Sequence, residues 1–128
     1  MRLLLDSHVF LWAIQSPEEL SETALAALQD TSNDLYVSLA TLWELQIKSD
    51  LGKLTLSKLL PQMIAEEVET GRMSVLSITP DHIYALSSLP HHHRDPFDRL
   101  LIAQAQLEGA TLVTKDHLIA LYSVLTLW

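Results

Sequence analysis

The chain has 128 residues, 48% of them apolar, with 16 acids against 8 bases and a formal charge of −8. That length suits one domain (1–128), and that charge by itself argues against a nucleic-acid-binding surface, which usually shows a basic patch. No apolar run approaches the roughly 18 residues of a membrane span, and the lack of cysteine removes disulfides and thiolate metal sites, so a soluble, cytoplasmic protein with no membrane partner is expected.

"RLLL" (2–5) predicts a buried strand, and Asp6 and His8 interrupt what otherwise looks like a signal peptide. "HVFLWAI" predicts a helix that Ser16-Pro17 breaks, and Ser21 with "ETALAALQ" begins another. "LYV" (35–37) is a second strand, after which Ser38 caps a helix through about Leu51, ended by Gly52. A further helix runs from about Lys58 to Thr70 and stops at Gly71. "MSVLS" (73–77) is a third strand, and Thr79-Pro80 opens a helix that ends before Pro90. In "HHHRDPFDRLLIAQA" (91–105), Asp95 is placed as a helix cap, Pro96 at the first helical position and Asp98 in the first turn. That helix runs to Glu108 and stops at Gly109; "TLVT" (111–114) and "VLTL" (124–127) complete five strands. Continuously apolar strands separated by helices imply a three-layer α/β/α sandwich around a parallel sheet of about five strands.

In such sheets ligands bind at the carboxyl ends of the strands. Asp6 directly follows the first strand, and Asp116 comes two residues after "TLVT". Asp98 begins a helix that must start at the same lip, since helices run antiparallel to their sheet. Glu44 lies two turns into the helix leaving "LYV", on a stripe with Ala40, Ile47 and Leu51. Each acid also has a local use. Asp6 can cap the next helix, Glu44 can pair with Lys48, Asp98 can serve the helix dipole, and Asp116 can be a turn residue. Together, four acids aimed at one sheet edge repel one another, and hard divalent cations with oxygen ligands relieve that repulsion. A metal site is therefore expected.

The blocks "LLLDSHVFLW", "LATLWELQIKSDLGKL", "HHHRDPFDRLLIAQAQLEG" and "LVTKD" resemble the PIN-domain family, in particular its VapC-type toxin ribonucleases, from end to end. The resemblance implies that Asp6, Glu44, Asp98 and Asp116 are the catalytic, metal-holding acids, with Ser7 and Thr114 as supporting polar groups. Asp95 and Arg99 belong to the "DPFDR" variant of the pattern. It also implies a Mg²⁺-dependent endoribonuclease (Mn²⁺ substituting), hydrolysing RNA with a metal-activated water, paired with a cognate antitoxin and forming a homodimer. The alternative within the resemblance is a catalytically silent PIN-like interaction module. A phosphoacceptor domain fits poorly, because the third strand ends in Ser77-Ile78 and not in an acceptor aspartate.

Two bound Mg²⁺ would offset the four site acids and halve the negative charge. Arg94, Arg99 and Lys115 are assigned to phosphate contact, with solvated surface charge as the alternative. His91, His92 and His93 are consecutive and cannot all face one metal, so a polar loop at the cleft rim is expected. His8 and His117 each neighbour a site acid and are candidates for substrate contact. The first helix has more apolar residues than one buried face needs, which suggests a covering partner.

Overall fold

The computed structural model describes residues 1–128. Five parallel strands, β1 (Arg2–Leu5), β2 (Asp34–Ser38), β3 (Ser74–Leu76), β4 (Thr111–Val113) and β5 (Thr126–Leu127), form one sheet in the order β3-β2-β1-β4-β5. Six helices flank it: α1 (Ser7–Gln15), α2 (Glu22–Gln29), α3 (Leu39–Asp50), α4 (Leu60–Glu69), α5 (Pro80–Ala85) and α6 (Pro96–Glu108). This is the parallel α/β architecture that the apolar strand runs imply.

Alternation along the strands divides the interior in two. Leu3, Leu5, Leu35, Val37 and Val113 face one core, shared with Phe10, Leu28 and Met63 of the helices. Leu4 and Leu112 face the other, against Leu101 and Ile102 of α6 and Tyr122. Full burial of each such side chain is worth about 1.5–3 kcal/mol, so a one-residue slip of β1 is excluded by the residues it would misplace. The register Leu5↔Val37 and Leu5↔Val113 therefore fixes where the chain leaves the central strand.

Some boundaries differ from the sequence expectation. The helix expected from Lys58 starts at Leu60, where Pro61 occupies the first turn and cannot donate a backbone hydrogen bond. The helix expected from Pro80 to Pro90 is α-helical only through Ala85 and then tightens into a 3₁₀ turn, Leu86–Ser88. There the Arg99 guanidinium donates to the Leu86 carbonyl at 3.2 Å. The last strand shrinks to two residues at the sheet edge.

Two patterning inferences are corrected. The α1 apolar residues are covered within the chain: Val9, Phe10, Leu11 and Ala13 are buried, and the Trp12 ring lies 5.9 Å from that of Trp128. On α3, the buried arc runs through Ala40, Thr41, Glu44 and Leu45, not through Ile47 and Leu51. Ile47 falls at the edge of that arc, and Leu51 lies past the helix end. Leu39, Trp43, Ile47 and Leu51 instead make an exposed apolar ridge, Trp43 being 60% exposed.

Candidate active site

The site forms where β1, β2 and β4 end. Asp6 continues the β1 ladder, its N–H donating to the Val113 carbonyl at 3.1 Å, and its Oδ1 accepts the Val9 N–H at 2.8 Å as the cap of α1. Ser38 ends β2 and caps α3, which carries Glu44 inward, 5% exposed. Asp95 caps α6 through the N–H groups of Phe97 (2.8 Å) and Asp98 (3.2 Å), placing Asp98 in the first turn. After β4, the Thr114 hydroxyl accepts the Asp116 N–H at 3.0 Å, and Asp116 Oδ1 accepts from the Leu118 N–H at 2.9 Å. The local capping uses of Asp6 and Asp95 are thus real and coexist with the site.

These elements enclose a cleft of about 330 Å³ lined by Asp6, Glu44, Asp95, Asp98 and Asp116, with His8, Trp12, Lys48 and Lys115. Glu44 is held at both ends: the Ser7 hydroxyl donates to one carboxylate oxygen and Lys48 Nζ to the other, the latter at 2.8 Å. The Lys48 pair expected as a surface contact is therefore present, but on a buried acid. It raises the Lys48 ammonium above its usual range.

Burial raises the Asp6 carboxyl, opposed by the hydrogen bond from Thr114 and the Val9 amide. Asp98 is pushed up to about 7, chiefly by burial and then by the negative field of Asp95, with smaller contributions from Glu44 and Asp6. His93 opposes that shift. Crowded, partly desolvated carboxylates resist ionisation together, and a divalent cation among them reverses the balance. The donors are hard oxygens, which suit Mg²⁺ or Mn²⁺.

The structure brings Asp6, Glu44, Asp98 and Asp116 together, with Ser7 and Thr114 bonded to site acids as supporting groups. Lys115 lines the cleft and Arg94 is exposed outside its lining. Arg99 corrects the expectation of phosphate contact. Its guanidinium donates to the carbonyls of Pro90 (2.8 Å), Leu86 (3.2 Å) and Leu89 (3.5 Å) and to the Tyr122 hydroxyl (3.3 Å). It is a brace for the loop before α6. His8 lines the cleft, whereas His117 does not.

The histidine run divides as its consecutive spacing requires. His91 and His92 are exposed, and the His92 ring sits edge-on to Tyr122 at 5.1 Å. His93 turns inward, its Nε2 lying 2.8 Å from Asp116 Oδ2 and 3.1 Å from Asp98 Oδ2. Sequence reasoning missed this residue. Its one signal is a position two residues before the Asp95 cap, where the loop folds back over the start of α6.

The PIN domain family model matches residues 3–124. Ribonuclease VapC22 of Mycobacterium tuberculosis is 34% identical over 121 residues, 90% of this chain and 87% of that protein. VapBC2 of Rickettsia felis, solved bound to a DNA fragment from its promoter, has a TM-score of 0.72 at 18% identity, covering 98% of this chain and 97% of that one. FitAcB of Neisseria gonorrhoeae has a TM-score of 0.65 at 19% identity, covering 97% and 95%. At those identities the two structures speak to the fold alone, while the sequence matches span nearly the whole chain. The chain belongs to the PIN-domain family, within its VapC branch.

Proposed function

We propose that this chain is a metal-dependent endoribonuclease and the toxin of a toxin–antitoxin pair. The observation that carries the reading is the meeting of Asp6, Glu44 and Asp98 from three separate elements in one cleft. Likeness to Ribonuclease VapC22 supports RNA as the substrate, and a place in the same VapC branch supports an antitoxin partner.

Asp6 and Asp98 are the acids best placed to hold Mg²⁺, or Mn²⁺ in its stead, with Glu44 and Asp116 completing the set. When bound, the cation supplies Lewis acidity, activating water and neutralising charge on the scissile phosphate. Ser7 and Lys48 fix Glu44 so that it orients the attacking water. Lys115 brings positive charge to the cleft wall, where a phosphate flank passes. With so few bases near the cleft, affinity for RNA depends strongly on the metal.

Two apolar surfaces support protein partners. One is the α3 ridge with Trp43, suited to a second copy in a homodimer. The other is a groove between α3 and α4 lined by Leu42, Leu60, Ile64, Val68 and Val75, suited to an antitoxin segment.

Incubating the purified protein with single-stranded RNA tests the activity. Cleavage with Mg²⁺ or Mn²⁺, lost in EDTA and in Asp6→Asn, is the expected result. Cleavage that survives either change sinks the mechanism, and no cleavage under any condition favours the silent interaction module. Light scattering and co-expression with the flanking gene test the partners; a monomer that retains no co-expressed protein refutes that part.

A further inference from the structure

His93 reaches two site carboxylates with one ring nitrogen, and its other nitrogen decides what it does there. Nδ1 accepts the Asp95 backbone N–H at 3.1 Å. A backbone amide keeps its proton, so Nδ1 must present a lone pair and the neutral ring carries its proton on Nε2. That proton points at Asp116 Oδ2, 2.8 Å away, with Asp98 Oδ2 at 3.1 Å. A metal-ligating imidazole has the opposite arrangement: its lone pair faces the metal and its N–H faces an acceptor. Turning the ring chemistry around would set an Nδ1–H against the Asp95 N–H. The loop that holds the ring is itself pinned, the His93 N–H donating to the Tyr122 hydroxyl at 2.9 Å and Arg99 donating to the same hydroxyl at 3.3 Å.

Geometrically, His93, Asp98 and Asp116 offer a three-ligand cluster with atoms within 4.8 Å of one another. The Asp95 amide argues against that use. We propose that His93 is a positioning residue that clamps Asp116 through an Nε2-protonated imidazole lying beside Asp98, and is not itself a metal ligand. The inference rests on the metal-site reading above, since positioning matters only if the carboxylates receive a cation. Asp116 is then held from both sides, by the Leu118 N–H on Oδ1 and by His93 on Oδ2, with its rotamer fixed before the metal arrives.

Two measurements test this. Nitrogen-15 NMR of the imidazoles in the metal-free full chain should find the His93 proton on Nε2, and added Mg²⁺ should leave it there. A proton on Nδ1 in either state overturns the proposal. Calorimetric titration with Mg²⁺ and with Zn²⁺, in a background where exposed His91 and His92 are alanine, supplies the second arm. His93→Ala should weaken both ions by a similar factor, roughly 10–100-fold as for other groups that orient ligands. His93→Gln, which keeps an N–H donor, should recover most of that loss. Selective loss of Zn²⁺, the ion imidazole prefers, would make His93 a ligand and overturn the clamp. If His93→Ala does not fold, the glutamine variant and the tautomer still decide. If the wild type binds neither ion, the metal reading of the site fails, and the tautomer in the metal-free protein decides the clamp by itself.

Discussion

Asp98→Asn should stabilise the metal-free protein above neutral pH. The carboxyl moves from an ordinary value near 3.8 to about 7 on folding, mainly because burial disfavours its charged form. The folded state therefore holds this proton more tightly than the unfolded chain, and stability falls as pH rises between about 4 and 7. At 1.36 kcal/mol per pKa unit the penalty above that window has a ceiling of about 4 kcal/mol. The side chain is 22% exposed, and a first-turn acid regains roughly 0.3–1 kcal/mol from the helix dipole, which brings the expected gain to about 2 kcal/mol. For a chain of this size that is roughly 8 °C in Tm. Urea or thermal unfolding in EDTA at pH 8 and at pH 4 reads it directly. Asparagine should stabilise at pH 8 and have little effect at pH 4, where Asp98 in the folded protein is already neutral and little of the penalty is present. Adding Mg²⁺ at pH 8 should then raise the wild type and leave the variant unmoved. A variant no more stable than wild type at pH 8, or a gain of equal size at both pH values, would refute the account of Asp98 as a strained site acid.

Asp95→Asn should keep the fold and most cleavage, because asparagine caps as well as aspartate, whereas Asp95→Ala should lose about 1 kcal/mol in unfolding experiments. Arg99→Ala should lose about 2 kcal/mol of stability by leaving the Pro90 and Leu86 carbonyls short of a charged donor, while KM for RNA at saturating Mg²⁺ stays near wild type. Gln104→Leu should cost roughly 1–3 kcal/mol in chemical denaturation, because the buried Ser38 hydroxyl then lacks its acceptor on α6. Trp43→Glu should shift the species seen by light scattering toward monomer, with a loss of only about 0.5–1.5 kcal/mol in unfolding of the isolated chain from its edge-on contact with Phe97.

Much of the sheet is legible because the strands read as short apolar runs, β1 and β2 ended by the helix caps Asp6 and Ser38, β3 and β4 preceded by the helix-ending Gly71 and Gly109. Asp6, Ser38 and Asp95 are informative twice, as helix caps and as markers of the lip where strands end. Glu44 was read for the right burial by the wrong stripe: spacing of four found Ala40, but only the packed sheet tells which side of α3 turns inward. Arg99 and His93 were illegible for a shared reason. Their roles depend on where the 86–94 loop lies over α6, and carbonyl oxygens and a tyrosine hydroxyl leave no periodic trace in the sequence. The apolar excess of α1 misled because Trp128, remote in sequence, covers Trp12.

The place of β1 between β2 and β4 has a consequence in time. The strand is made before both of its neighbours, and one of them follows it by a long stretch of chain, where Leu5 meets Val113. Pairings of such separation form slowly, since loop-closure entropy is lost before the contact is gained. A growing chain on the ribosome can assemble β1, β2, α3, α4 and β3, and with them the α3–α4 groove, while α6 and β4 are still unmade. Asp98 and Asp116 then have not yet joined Asp6 and Glu44. The groove proposed for a partner thus matures before the cleft, and any chemistry of the cleft begins only once α6 and β4 are in place.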